Sequence, residues 1–110
     1  MSSREERIGL NEAVFREINE RIEDFADLSD LESQPLDLVC ECGDGGCVQR
    51  LSMTRQEYER LRSVSTHFAV SPGHEYLDVE RIVERRAGYD VVAKTDEVPE
   101  RIAEETDPRK

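Results

Sequence analysis

A chain of 110 residues with 26 acidic and 15 basic side chains, net charge -11, and 36% apolar residues fits one small domain with a modest core. That charge repels nucleic-acid phosphate and anionic lipid, so neither a nucleic acid nor a membrane is expected as partner, and basic proteins are the natural candidates. No apolar run approaches membrane-span length, and the charged N-terminal stretch carries no export signal. The expectation is a cytoplasmic protein whose thiols stay reduced.

The spacing predicts a long helix over Arg4 to Leu28. Phe15, Ile18, Ile22 and Phe25 recur at helical intervals, with Ile8 one heptad before Phe15. Such a stripe either packs on the protein's own sheet, which is the favoured reading, or forms a homodimer or protein-partner face as a short coiled coil. Residues 29–35 read as a linker that Pro35 ends.

From Leu36 to Cys42 the pattern alternates. Leu36, Leu38, Cys40 and Cys42 share one face, and Asp37, Val39 and Glu41 the other. Gly43-Asp44-Gly45-Gly46 is a turn, and Val48 to Met53 returns as a second strand. Thr54 and Glu57 form a capping box that opens a second helix bearing Tyr58 and Leu61. His67 to Val70 is extended, and Ser71-Pro72-Gly73-His74 is a turn. Asp78 to Arg86 and Tyr89 to Lys94, broken at Ala87-Gly88, read as a second hairpin. A short helix is expected from Pro99 to Glu105, with Pro99 at its first position. The final residues are expected to be disordered.

All three cysteines lie within eight residues, as Cys40-Glu-Cys42-Gly-Asp-Gly-Gly-Cys47. Two strand positions aim Cys40 and Cys42 to one side, and the glycines let Cys47 curl back. Clustered thiols in a reducing compartment suit Zn2+, which takes four tetrahedral sulfur and imidazole donors. The fourth ligand is assigned to His74 in its turn. His67, water, Glu41 or Asp44 are the alternatives. No P-loop, nucleophile elbow or zincin motif is present.

The residues Asn11-Glu12, Phe15-Arg16-Glu17, Asn19-Glu20-Arg21-Ile22-Glu23, Cys40-Glu41-Cys42-Gly43 and Pro72-Gly73-His74-Glu75 resemble an uncharacterised family of small bacterial proteins. Its members share an NExxFRExNERIE-like helix, a CECG…C knuckle and a PGHE segment. The resemblance covers most of residues 11–94. It implies that Cys40, Cys42, Cys47 and His74 form one functional set, and it implies no substrate or reaction.

The expected fold is α+β: a long N-terminal helix packed on a small, mainly antiparallel sheet with a zinc-knuckle-like hairpin. Residues 1–35 would be helix and linker, 36–98 a zinc-binding core, and 99–110 a charged tail. The leading function is a non-enzymatic interaction or regulatory module with a structural zinc. A thiol-based redox or metal-responsive switch comes second. A small metal-dependent hydrolase, with Glu75 as general base, comes third.

Overall fold

A computed structural model describes residues 3–28 and 34–109. The linker expected over 29–35 therefore lies mostly outside the described residues. Ser3 opens the first helix: its Oγ accepts from the Glu6 amide at 3.1 Å and the Glu6 carboxylate accepts from the Ser3 amide at 3.4 Å. These reciprocal bonds satisfy amides that have no partner within the helix. The helix, α1, spans Arg4–Leu28.

Strands β1 (Leu36–Val39) and β2 (Arg50–Met53) form an antiparallel pair in which Leu38 faces Leu51. Helix α2 (Arg55–Arg62) follows at once, opened by the Thr54–Glu57 capping box. Strands β3 (His67–Val70), β4 (Glu80–Arg86) and β5 (Tyr89–Lys94) form an antiparallel sheet of order β3-β5-β4, with an irregularity between Ile82 and Glu84. Helix α3 spans Glu97–Glu105.

The fold is α+β as expected, but the strands make two small sheets instead of one. The segment after β1 joins them. The Glu41 amide donates to the Ala69 carbonyl at 2.8 Å, and the Ala69 amide donates to the Glu41 carboxylate at 3.1 Å. Helix α3 also starts two residues earlier than expected. Asp96 caps it by accepting from the Val98 amide, so Pro99 occupies the third position. Amides of the first turn have no carbonyl to reach, so a proline is tolerated there.

The largest departure concerns the face of α1. Of the predicted stripe only Ile8 is buried. Phe15 and Ile22 are half-buried, Ile18 is 38% exposed and Phe25 is 68% exposed. The face that packs carries Ile8, Glu12, Arg16, Asn19, Glu23 and Ala26, at spacings of four, four, three, four and three. Burying such groups is costly unless they find partners, and each polar side chain here has at least one, although Glu12 Oε1 and Arg16 Nε stay unpaired. Arg16 donates to the Ser65 carbonyl at 2.6 Å and to the Ala103 carbonyl near the end of α3 at 2.7 Å, and it lies over the Phe68 ring at 4.8 Å. Glu12 and Glu80 both pair with the Lys94 ammonium. Glu20 binds Arg62 and Arg109, each at 2.7 Å.

Arg109 also reaches Glu23 at 3.0 Å and Glu59 at 2.6 Å, and Asp107 pairs with Arg62. Residues 107–109 are thus held against α1 and α2 by ion pairs, where the sequence suggested a disordered end.

The apolar core has two parts. One gathers Ala26, Leu36, Leu38, Leu51, Met53, Tyr58 and Leu61 between α1, the first sheet and α2. The other gathers Cys40, Cys42, Phe68, Val70, Val92 and Ala103. The second part buries Cys40 and Cys42, with Cys47 partly buried against it.

Candidate metal centre

The extended segment from Val39 to Gly43 runs along α1 and is pinned at both ends by asparagines. Asn19 accepts from the Val39 amide at 2.8 Å and donates to the Val39 carbonyl at 2.9 Å and to the Glu41 carboxylate at 2.8 Å. Asn11 donates to the Gly43 carbonyl at 2.8 Å. Eight helical residues rise about 12 Å, and four extended residues span about 13 Å, so the two clamps are in register.

Between the clamps the side chains alternate. Glu41 turns inward to Asn19 and Ala69 and is fully buried. Burial holds its carboxyl well above the usual carboxylate range. Cys40 and Cys42 turn the other way, each 1% exposed.

Gly43 is required by contact, not by its dihedral angle. A Cβ there would lie 2.6 Å from Ile8 Cγ2 and 3.0 Å from Tyr76 Cε2. The chain then reverses over Asp44–Cys47. The Cys47 amide donates to the Asp44 carbonyl at 3.0 Å, and the Gly46 amide donates to Asp44 Oδ1 at 2.9 Å. The second arm is the turn Ser71–His74, closed by the His74 amide on the Ser71 carbonyl at 3.0 Å. It needs Gly73 at φ +90°, a region that residues with a Cβ rarely adopt.

The two turns bring four donor atoms together. The sulfurs of Cys40, Cys42 and Cys47 and a ring nitrogen of His74 all lie within 4.8 Å of one another. His74 Nδ1 is 3.7 Å from Cys40 Sγ and 3.5 Å from Cys47 Sγ. A tetrahedral zinc with bonds of about 2.3 Å to sulfur and about 2.05 Å to nitrogen needs S···N edges of about 3.6 Å. The set can therefore hold a metal ion.

The Ser71 amide donates to Cys40 Sγ at 3.1 Å. The Cys42 thiol donates to the Asp44 carbonyl at 3.9 Å. The neighbouring Cys42 thiol, with the Ser71 amide, pulls the Cys40 thiol down to about 5, and Cys40 together with burial pushes Cys42 up.

The other candidates are accounted for elsewhere. His67 pairs with Ala93 along β3, where burial lowers its imidazole below the ordinary value. Asp44 accepts from Gly46, and Glu41 faces away from the sulfurs. An open depression of about 240 Å³ beside the cluster is lined by Cys42, Asp44, Gly73, His74, Glu75 and Tyr76. It is smaller than the roughly 300–1,000 Å³ of small-molecule sites.

The positioning residues Asn11 and Asn19 were invisible as such in the sequence, although Asn11 interrupts the apolar stripe. Among the described residues no helix is long and apolar enough to cross a membrane. No family model matches the chain, and neither a curated protein nor a solved structure is similar to it at a significant level.

Proposed function

We propose that the protein is a small zinc-stabilised interaction or regulatory module, in which Zn2+ bound by Cys40, Cys42, Cys47 and His74 Nδ1 fixes the first hairpin to the Ser71–His74 turn. The observation that carries this reading is the agreement of the two S···N distances, 3.5 and 3.7 Å, with the edge of a zinc tetrahedron. Three sulfurs and one imidazole fill the coordination shell and leave no position for substrate, which is the mark of a structural zinc. The metal's chemistry here is to tie together segments that 26 residues separate, which removes freedom from the unfolded chain. The resemblance noted above groups the same four residues, and the acidic surface suits a basic protein partner.

The test is metal analysis of protein purified without chelator, followed by cobalt substitution. One metal per chain is expected, with cobalt giving intense tetrahedral thiolate bands. His74→Ala should weaken zinc binding at least ~10-fold, since one of four donors is lost. A metal content near zero, with stability unchanged by chelator, would refute the reading.

A further inference from the structure

The face of α1 turned away from the core carries a second, unassigned feature. Leu10, Val14, Ile18, Phe25 and Leu28 are 46%, 58%, 38%, 68% and 88% exposed. At about 100° per residue they fall within an arc of about 80°, so they make one stripe along the helix. The stripe is not uniform. Leu10, Ala13, Val14 and Glu17 stand at the spacing of a coiled-coil hole and line an apolar groove with Ile18 and Thr106. Fifteen residues after Leu10, Phe25 projects from the same stripe as a knob.

We infer that this stripe is a homodimer seam, in which the α1 helices of two copies pair antiparallel and each Phe25 fills the partner's groove. The knob and the hole lie at opposite ends of one helix, so a two-fold axis near the level of Asn19 satisfies both at once, as an isologous interface requires. The same axis sets the partner's Leu28 beside Leu10. It also sets the partner's Arg21 beside Glu17, which borders the stripe, so these two charges meet as opposites. In the single chain Glu17 and Arg21 pair only loosely, at 3.4 Å, and Arg21 is 79% exposed.

The exposed fractions amount to about three whole apolar side chains per copy, so a symmetric pair would bury on the order of 1,000 Å². That is the low end for specific association and implies a reversible dimer. The seam shares no residue with the metal centre, so the two readings stand or fall separately.

Sedimentation equilibrium of the full chain from about 1 µM to about 1 mM tests it. A monomer–dimer equilibrium is expected. Phe25→Glu changes an exposed residue and should weaken dimerisation at least ~30-fold. Leu77→Glu, at a site 69% exposed and outside the stripe, should leave it unchanged. Glu17→Arg and Arg21→Glu chains should each self-associate more weakly than the wild type, and a 1:1 mixture of the two should recover wild-type affinity as heterodimers. A wild-type chain that stays monomeric throughout overturns the inference, as does a Phe25→Glu chain that dimerises unimpaired. A mixture that recovers nothing overturns the pairing of Glu17 with Arg21.

Discussion

Replacing Gly43 by alanine tests how tightly α1 is coupled to the cysteine knuckle. The added methyl would sit 2.6 Å from Ile8 Cγ2, 3.0 Å from Tyr76 Cε2 and 3.1 Å from Ile8 Cβ. Relaxed carbon contacts are about 3.5–4.0 Å, so the knuckle must retreat from the helix by about 1 Å. The retreat would stretch the Asn11 bond to the Gly43 carbonyl, which is 2.8 Å long. Overpacking of this kind costs ~1–3 kcal/mol, and ~2 kcal/mol lowers the melting temperature of a domain this size by about 10 °C. If the knuckle relaxes when metal is absent, the same ~2 kcal/mol appears as a roughly 30-fold weaker zinc affinity. Urea denaturation with saturating zinc and with chelator separates the two contributions. The decisive arm is the Ile8→Ala background, where the nearest clashing atom, Ile8 Cγ2, is gone and Gly43→Ala should cost less than it does in the wild type. Additive losses in the double variant would show that the contact with Ile8 is not the cause, and the coupling argument would fail.

Two further predictions concern the buried polar face. Glu12 is 1% exposed, and burial pushes its carboxyl up to about 8 although Lys94 opposes the rise. Because the folded value lies above the ordinary 4.5, its stabilising proton is fully held below pH ~4.5 and is lost as pH rises towards ~8. At ~1.4 kcal/mol per pH unit the ceiling is ~5 kcal/mol. Glu12→Gln keeps an acceptor for Lys94 and should gain on the wild type steadily from pH 5 to pH 8 in urea denaturation at saturating zinc; two curves that run parallel would contradict this. Asn19→Ala would strip three hydrogen bonds from Val39 and Glu41 and should cost ~3 kcal/mol. Asn19→Asp should be worse still at pH 7, because a carboxylate would replace the donor facing Glu41. An Asn19→Asp protein as stable as the wild type would rule out the clamp.

Much of the fold was legible because short-range chemistry decides it. Thr54 and Glu57 announce α2, Ala87-Gly88 announces the β4–β5 turn, and Pro72-Gly73 announces the turn that presents His74. The donor set was legible for a similar reason: three thiols close in sequence leave few ways to arrange a chelate, and the chain holds only two histidines. The inward face of α1 was not legible. Apolar periodicity picks out Phe15, Ile18, Ile22 and Phe25, whereas Glu12, Arg16, Asn19 and Glu23 look like a solvated face when read alone. What buries them is distant in sequence. Lys94 lies 82 residues from Glu12 and Arg109 lies 89 from Glu20, and no local pattern connects such pairs. The cue was present but weak: these polar residues recur at helical spacing on the side of α1 opposite Val14 and Ile18.

That polar face has a consequence for the metal centre. An apolar helix face tolerates sliding by a turn, because one methyl group replaces another at small cost. Helix α1 cannot slide so cheaply along Val39–Gly43. A shift of one turn, about 5.4 Å, would strip the Val39 amide, the Glu41 carboxylate and the Gly43 carbonyl of the asparagine groups that now satisfy them. Buried polar groups left unpaired cost ~1–3 kcal/mol each, so a slipped register is worse by several kcal/mol before any packing is lost. The register of α1 therefore fixes where Cys40 and Cys42 stand, and Ser71, whose amide holds Cys40 Sγ, fixes them to the turn that carries His74. A chelate needs its donors placed within about 0.5 Å. The asparagines supply that placement from the protein side, so a cation would close a site the fold has already assembled instead of gathering loose strands around itself.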